Sequence, residues 1–237
     1  MEKDACKLAV LLLSEGTVRI HKNKASIVFT NTSEELNSIF RDSAKNLGMR
    51  TFKKSPKQTA IYSKKLATEL LIKCRSFRSK PCSSGIRNAC PVITGRASLG
   101  PSCRHCTPFK DGNKHYPPSS FPEEIMKSNK DDLAEYLRIF FTCEGGVVIG
   151  SDIRNDEVIL RVGHPILRRQ VLDMINRLGI KTGVRGKSLI YIRKRSEMLK
   201  FRDLIGFVHG AKSVRGFHKG EEKNKLLELA LDRHGFV

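Results

Sequence analysis

The chain has 237 residues and a formal net charge of +20, from 44 Lys and Arg against 24 Asp and Glu. An excess of this size indicates a polyanionic partner, most often a nucleic acid; the alternative is a solvated basic surface like those of thermophile proteins. The chain lacks both the roughly 18 consecutive apolar residues of a transmembrane helix and the pattern of a signal peptide, which excludes a membrane partner and predicts an intracellular protein of the cytoplasm, nucleoid or an organelle.

The first predicted element is an apolar helix that ends in a small residue, a glutamate and a glycine. Residues 8–16 read Leu-Ala-Val-Leu-Leu-Leu-Ser-Glu-Gly. Two strands are predicted after it, one from the alternation at 17–21 and one from the apolar stretch at 25–30. Trp is absent and aromatic residues make up 7% of the chain. Stacking platforms for single strands are therefore scarce, and a duplex is the better partner.

The next predicted helix runs from Thr32 to Leu47. Thr32 and Glu35 have the spacing of a capping box, and Gly48 suits the position after the helix. A basic strand follows, and then a second strand that ends in Ile-Tyr at Tyr62. The first part of the chain therefore predicts the order helix, strand, strand, helix, strand, strand, helix.

The segment 78–121 interrupts this pattern and is predicted to be a basic linker, because it is rich in proline and glycine. It also contains Cys82, Cys90, Cys103 and Cys106. The last two have the two-residue gap of a zinc knuckle, whereas the seven-residue gap of the first two is unusual for such a site. Two interpretations stay open, a Zn²⁺ site and a disordered linker with free thiols. In either case the basic segment is suited to lie along a DNA backbone.

A second helix of the same kind follows the linker. Residues 137–145 read Leu-Arg-Ile-Phe-Phe-Thr-Cys-Glu-Gly, and a strand at 157–162 comes after them. A helix is predicted from Pro165 to Leu178, since proline suits a first helical turn. The spacing from Glu15 to Glu144 equals that from Tyr62 to Tyr191, 129 residues.

This constant spacing predicts an α+β protein that contains two copies of an αββαββα unit. The expected division of the chain is a first half at 1–77, the linker at 78–121, a second half at 122–210 and a helical extension at 211–237. The extension is predicted to contain an amphipathic helix from Lys219 to Gly235 that packs on the second half.

The two glutamates are the main candidates for chemistry. Two packed apolar helices that each end in a carboxylate bring Glu15 and Glu144 together. The two charges repel unless a cation lies between them, so the pattern favours a divalent cation held against a phosphate. The alternative is that both acids are solvated, because a glutamate is unfavourable at the negative end of a helix dipole.

These features resemble the LAGLIDADG homing endonucleases in their single-chain, two-motif form, over about residues 4–77 and 122–210. The resemblance implies two antiparallel sheets that form a pseudo-two-fold saddle on double-stranded DNA, in a monomer encoded by an intron or another mobile element. It implies site-specific hydrolysis of both strands with Mg²⁺ or Mn²⁺ held by Glu15, Glu144, Gly16 and Gly145. It also assigns a catalytic role to Asn31.

Several positions depart from that family. The third motif position is usually glycine and is here Val10 or Ile139, which predicts a wider helix crossing. Only His164 matches Asn31 in the second half, and no lysine is near Glu144 in sequence. The rival interpretations are therefore a non-cutting transcription regulator, a maturase that binds structured RNA and, less favoured, an adaptor organised by zinc.

The strands also carry candidate base-reading residues. Arg19 and His21 alternate with Val18 and Ile20, so they share one face of a strand. The residues predicted to bind DNA are Arg19, His21, Lys22, Lys24, Arg50, Lys53 and Lys54 in the first half and Arg161, Lys181, Arg185, Lys187 and Arg193 in the second.

Overall fold

The structure is a computed structural model that describes residues 1–22, 24–77, 109–111, 114–116, 118–214 and 216–233. Cys82, Cys90, Cys103 and Cys106, the residues of the zinc hypothesis, lie outside these ranges. So does most of the predicted linker.

The first repeat has the predicted order of elements. Its helices and strands are α1 (Lys3–Glu15), β1 (Gly16–His21), β2 (Lys24–Thr30), α2 (Glu34–Asn46), β3 (Thr51–Ser55), β4 (Gln58–Ile61) and α3 (Lys64–Cys74). The strands form one antiparallel sheet in the order β1-β2-β4-β3. Helices α1 and α3 pack against β1 and β2.

The second repeat has the same order. Its elements are α5 (Lys130–Glu144), β7 (Gly145–Val148), β8 (Glu157–Arg161), α6 (Pro165–Arg177), β9 (Gly183–Arg185), β10 (Leu189–Ile192) and α7 (Arg195–Leu204). Its sheet order, β7-β8-β10-β9, matches that of the first repeat strand for strand. The prediction of a duplicated α+β unit with two antiparallel sheets is therefore confirmed.

The beginning of α2 differs from the prediction by one residue. The cap is Ser33, whose Oγ accepts a hydrogen bond from the backbone N–H of Leu36 at 3.3 Å, and not Thr32. Asn31 accounts for the shift, because its side-chain oxygen accepts from the backbone N–H of Ser33 at 2.7 Å and so sets the turn before the helix. Glu35 still takes part, since it accepts from the Ser33 hydroxyl at 2.6 Å.

The corresponding helix of the second repeat begins as predicted. Pro165 occupies its first turn and His164 is the cap. Both helices end before a glycine in the left-handed region, Gly48 with φ of 71° and Gly179 with φ of 75°. A side chain is strained in that conformation, so glycine fixes the end of each helix.

Three elements lie outside the repeats. A hairpin of β5 (Phe109–Asp111) and β6 (Lys114–Tyr116) stands where the sequence predicted only linker, and a short helix α4 (Glu123–Met126) precedes α5. The last helix, α8 (Lys223–Arg233), begins four residues later than predicted. Gly220 explains the delay, because its φ of +93° is incompatible with a helix. The division of the chain at 77, 121 and 210 stays a prediction.

The core is continuous between the two repeats. Helices α1 and α5 pack against each other along their apolar faces. Val10 and Ile139, which replace the expected glycines, are 0% and 2% exposed in this core. Arg138 turns away from α1, since its Nε donates to the carbonyl of Ile205 at 2.5 Å.

In the described part of the chain, no helix combines the length and apolarity needed to span a membrane.

Each sheet has one face packed on helices and one free face. In the first sheet Ile27 and Phe29 point into the core, and Phe29 stacks on Phe40 of α2 with 5.4 Å between ring centroids. In the second sheet Val158 and Leu160 are fully buried in the same way. The alternation of strand side chains leaves the residues between them on the opposite, open face.

Candidate active site and nucleic-acid interface

Glu15 and Glu144 are the last residues of the two packed helices α1 and α5. These two helices pack against each other, so their last residues are brought together. Burial raises the pKa of Glu144 from its usual 4.5 to about 7, and the negative charge of Glu15 adds to this rise. The two carboxylates therefore lie close enough to repel, with Glu15 exposed and Glu144 half-buried.

The glycines after the two glutamates are required by space. A Cβ at Gly16 would lie 2.4 Å from Cα of Leu12, and one at Gly145 would lie 2.7 Å from the carbonyl oxygen of Ile159. Both residues have extended backbone, with φ near −115°, which any residue adopts. The Glu-Gly pair thus allows each helix to turn directly into a strand against its own last turn.

Asn31 lies beside Glu15, and its side-chain amide donates a hydrogen bond to the Glu15 carboxylate. The backbone of Asn31 is fixed at both groups, because its N–H donates to the Lys57 carbonyl at 2.9 Å and its carbonyl accepts from the Asn37 side chain at 2.9 Å. Asn31 is therefore preorganised to orient the Glu15 carboxylate.

Within the described residues of the second half, the position that matches Asn31 has a different role. His164, the polar residue in the matching stretch, is fully buried and caps α6, where its Nδ1 accepts from the backbone N–H of Leu167 at 3.4 Å. The two acids therefore have different surroundings in spite of the repeated fold.

Lys223, the first residue of α8, is a site residue that the sequence did not reveal. Its Nζ donates to the carbonyl oxygens of Thr142 at 2.8 Å and Gly145 at 2.6 Å, on either side of Glu144. Its residue exposure is 6%, and burial lowers the pKa of the ammonium group while Cys143 and the two glutamates oppose that change. A buried cation therefore lies next to the carboxylate pair. No local motif could have indicated it, because the contact spans 78 residues.

A cavity of about 310 Å³ opens beside Glu15. Its lining includes Asn31 from the first half, Thr142 and Cys143 from the end of α5, and the lysines Lys57, Lys212 and Lys223. One carboxylate, one carboxamide and three lysines form a setting that suits a phosphate group together with a divalent cation.

In the described ranges no group of three or more His, Cys, Asp and Glu side chains gathers as a metal site. The candidate donors are therefore the two carboxylates and nearby backbone oxygens, among which the Gly145 carbonyl already accepts from Lys223. Hard oxygen donors of this kind suit Mg²⁺ or Mn²⁺ rather than Zn²⁺.

The open face of the first sheet carries several of the predicted DNA-binding residues. Arg19, His21, Lys24 and Lys54 line a basic depression of about 520 Å³ together with Tyr62. Lys22 forms the adjoining turn with φ of 50°, and Arg50 is exposed just before β3.

Lys53 is placed differently from its neighbours. It pairs with Thr59, whose hydroxyl is buried against Asn37 of α2. Since opposed residues of an antiparallel pair share a face, Lys53 lies on the helix side of the first sheet.

The open face of the second sheet contains an arginine cluster. Arg185 and Arg193 lie against the ring of Tyr191, at 4.9 Å and 5.3 Å from its centroid. Both arginines also bind the buried carboxylate of Glu157, which the sequence analysis did not single out. Arg161 is exposed at the end of β8, whereas Lys181 and Lys187 are exposed in the loops on either side of β9.

Solved structures of known proteins share the fold described above. No family model matches the chain, and no curated protein matches it. The crystal structure of I-DmoI in complex with DNA and Ca is 13% identical and covers 87% of this chain and 91% of its own, with a TM-score of 0.50. A variant of I-DmoI with its target DNA and Mn is 12% identical and covers 94% and 97%, with a TM-score of 0.50.

A third solved structure, the homing endonuclease I-WcaI bound to its DNA recognition sequence, is 10% identical and covers 86% of this chain and 81% of its own, with a TM-score of 0.46. The I-DmoI structures, at a TM-score of 0.50, show that the molecule is a two-repeat α+β protein with the same fold. More particularly, the chain has the fold of the LAGLIDADG homing endonucleases, so the resemblance found in the two sequence motifs is confirmed for the fold.

Proposed function

We propose that the protein is a site-specific, double-strand DNA endonuclease that depends on a divalent cation. The observation that carries the proposal is the pair of glutamates at the adjoining ends of α1 and α5. Each of them directly precedes the first strand of a sheet, Gly16 in β1 and Gly145 in β7, so a duplex that lies across both sheets would place its backbone next to them.

Duplex binding is supported by charge and by fold. The net charge is +20, and the open face of the first sheet offers arginine, lysine and histidine side chains around one depression. Such a surface neutralises phosphates and releases counterions, which favours binding to DNA of any sequence. I-DmoI, whose fold the chain shares, has been crystallised in complex with DNA.

The residues present fit a divalent cation. Burial, and after it the charge of Glu15, raises the pKa of Glu144, so the ionised pair gains from a cation between the two carboxylates. Carboxylate oxygens are the donors that Mg²⁺ and Mn²⁺ take. Such a cation supplies the charge that lowers the pKa of a water molecule and stabilises the leaving 3′ oxygen. The I-DmoI complexes contain Ca or Mn.

The chain's own residues then have separable tasks. Asn31 orients the Glu15 carboxylate through a hydrogen bond from its amide. Lys57 and Lys212, in the cavity wall, hold the scissile phosphate by charge. Lys223 keeps a positive charge at the end of α5, where negative charge accumulates during the reaction.

A second candidate function is a non-cutting DNA-binding regulator or an RNA-splicing maturase with the same fold. The observation that favours it is Lys223, a buried cation that already offsets part of the repulsion between the glutamates. The pair is then compatible with folding in the absence of any metal ion. The lack of an Asn31 counterpart beside Glu144 points in the same direction.

Incubation of the protein with a randomised duplex library in Mg²⁺ or Mn²⁺ separates the two functions. The endonuclease cuts both strands at one long site of roughly 15–20 base pairs, the reach of two sheets in the major groove. In Ca²⁺ it binds the same site without cutting. Tight binding to a defined duplex with no cutting in any divalent metal supports the regulator, and preference for a structured RNA supports the maturase.

A further inference from the structure

Glu157 is a buried acid on the open face of the second sheet. It is the first residue of β8 and pairs with Val148, and its side chain is 6% exposed. It shares its face with Ile159 and Arg161, since alternate residues of a strand point to the same side. Tyr191 pairs with Ile159 and lies on that face as well.

Two arginines cover this acid. Arg185 binds it with both terminal nitrogens, Nη1 to Oε1 at 3.2 Å and Nη2 to Oε2 at 3.1 Å. Arg193 binds the same Oε2 through Nη2 at 2.9 Å. The ring of Tyr191 lies beneath both guanidinium groups. We refer to Glu157, Arg185, Tyr191 and Arg193 as the arginine cluster.

The cluster fixes both arginines while leaving donors free. A guanidinium carries five N–H groups, and Arg185 directs one from each terminal nitrogen at Glu157. Its Nε side is not used by that contact, and the side chains of Arg185 and Arg193 are 51% and 40% exposed. Each arginine is therefore held in one orientation. Arg185 still presents its Nε edge to the open face, whereas the Nε of Arg193 is buried and its exposed part is the rest of the guanidinium group.

Among the described residues of the first sheet, no acid holds an arginine in this way. The register position that corresponds to Glu157 is Ser26, which pairs with Arg19 as Glu157 pairs with Val148. The neighbouring aromatic, Tyr62, carries Lys54 at 5.5 Å and contacts Phe52. Among the described residues that line the depression around Arg19, none is acidic.

The net charge of the arginine cluster indicates whether it holds phosphates or reads the edge of a base. A site that only holds phosphates gains nothing from a buried carboxylate, which reduces two positive charges to a net of one. Reading a base edge instead requires a planar donor group in a fixed orientation. Guanine presents the O6 and N7 acceptors that an arginine edge matches in the major groove.

We propose that Glu157 is a positioning residue that directs Arg185 and Arg193 to guanine bases, so that the half of the DNA site under the second sheet is selected for guanine. This inference rests on the proposed binding of duplex DNA. It adds that sequence preference is unequal between the two half-sites, because the first sheet lacks the acid that fixes an arginine.

The test is selection of bound duplexes from a randomised library in Ca²⁺, for the full chain and three variants. Wild type should enrich guanine at one or two positions of one half-site by about tenfold or more. Glu157→Gln should reduce this to about threefold or less while overall affinity holds or rises, since a negative charge is removed. Arg185→Lys, which keeps the charge and loses the planar edge, should lose guanine preference as well.

Ser26→Ala is the matched control, because it changes the equivalent position of the first sheet and should leave the guanine enrichment intact. Thermal melting of each variant establishes that it is folded, and Arg185→Lys keeps the acid itself in place if Glu157→Gln unfolds. Wild type that binds one site without guanine enrichment overturns the inference alone. So does a Glu157→Gln protein that keeps the enrichment, or one that loses affinity equally for all sequences. Absence of any duplex binding by wild type overturns the proposed function itself.

Discussion

The ammonium group of Lys223 lies 2.6 Å from the carbonyl oxygen of Gly145, the first residue after Glu144. It also donates to the carbonyl oxygen of Thr142, so the first residue of α8 contacts the last turn of α5. A cation at a helix C-terminus is favourable with the helix dipole, and here it also reduces the repulsion between two carboxylates. Lys223 therefore links the C-terminal extension to the centre of the candidate active site.

Replacement of Lys223 tests that link. Lys223→Met should lower the free energy of unfolding by about 1–3 kcal/mol, because two carbonyl groups lose a charged donor. If the protein cuts DNA, the rate should fall at least about tenfold while affinity changes by less than about threefold, since a fixed charge near the phosphate is gone. Urea titration and single-turnover cleavage measure the two effects. Lys225→Met, at a side chain that is 77% exposed, is the control.

The pKa of Glu144 predicts how metal-free protein responds to pH. The pKa in the folded state is about 7, above its usual 4.5, so the unfolded chain loses this proton first as pH rises. The contribution of Glu144 is therefore most favourable below about pH 4.5 and falls through the window up to about pH 7. Glu144→Gln should remove this loss and stabilise the protein at pH 8 by about 2–4 kcal/mol, with little effect at pH 4.5.

Equilibrium unfolding at several pH values in the presence of a chelator measures this difference. Glu221→Gln changes an exposed carboxylate of the same charge and should alter stability by less than about 0.5 kcal/mol. Equal stabilisation by Glu144→Gln at both pH values would show that Glu144 is not strained by its surroundings.

The two neighbouring glycines after Glu144 provide a test of the close helix-to-strand turn. Gly145→Ala should destabilise the protein by about 1–3 kcal/mol, because its Cβ would meet the Ile159 carbonyl oxygen at 2.7 Å and the Phe141 carbonyl oxygen at 2.8 Å. Gly146→Ala meets nothing within 4 Å and should change stability by less than about 0.5 kcal/mol. Thermal melting of both variants gives the comparison, and similar losses for the two would contradict the steric explanation.

Most of the fold follows from local patterns in the sequence. The helical period of α1 and α5 and the Glu-Gly steps are local patterns, and their recurrence at a spacing of 129 residues predicts the duplicated unit. Lys223 and Glu157 could not be found in this way. Lys223 is brought to Glu144 by tertiary packing. Glu157 is covered by Arg185 at the end of β9 and Arg193 just after β10, which lie 28 and 36 residues away. The predicted cap of α2 was wrong by one residue for a local reason, because the Asn31 side chain accepts from the N–H of Ser33 and sets the turn before the helix.

The basic surface predicts a strong salt dependence of duplex binding. The logarithm of affinity should fall with the logarithm of salt concentration with a slope of about −5 or steeper, because several phosphates are neutralised at once. Arg19→Ala, on the open face of the first sheet, should reduce the slope by about one. Fluorescence anisotropy between low and moderate salt measures it. A slope near zero would remove nucleic acid from the account of this protein.

The two glutamates predict a separation of binding from cutting. Glu15→Gln and Glu144→Gln should each abolish double-strand cutting, because each removes a charged oxygen donor from the proposed cation site. Affinity for the same duplex in Ca²⁺ should hold or rise, since a negative charge near the phosphates is lost.

Asn31→Ala should reduce cutting less than Glu15→Gln does, because it frees the orientation of Glu15 without removing its charge. Binding is followed by anisotropy and cutting by gel analysis of both labelled strands, with thermal melting to establish that each variant is folded. If the Gln variants cut at the wild-type rate, the two acids have no catalytic role and the cutting centre lies elsewhere in the protein.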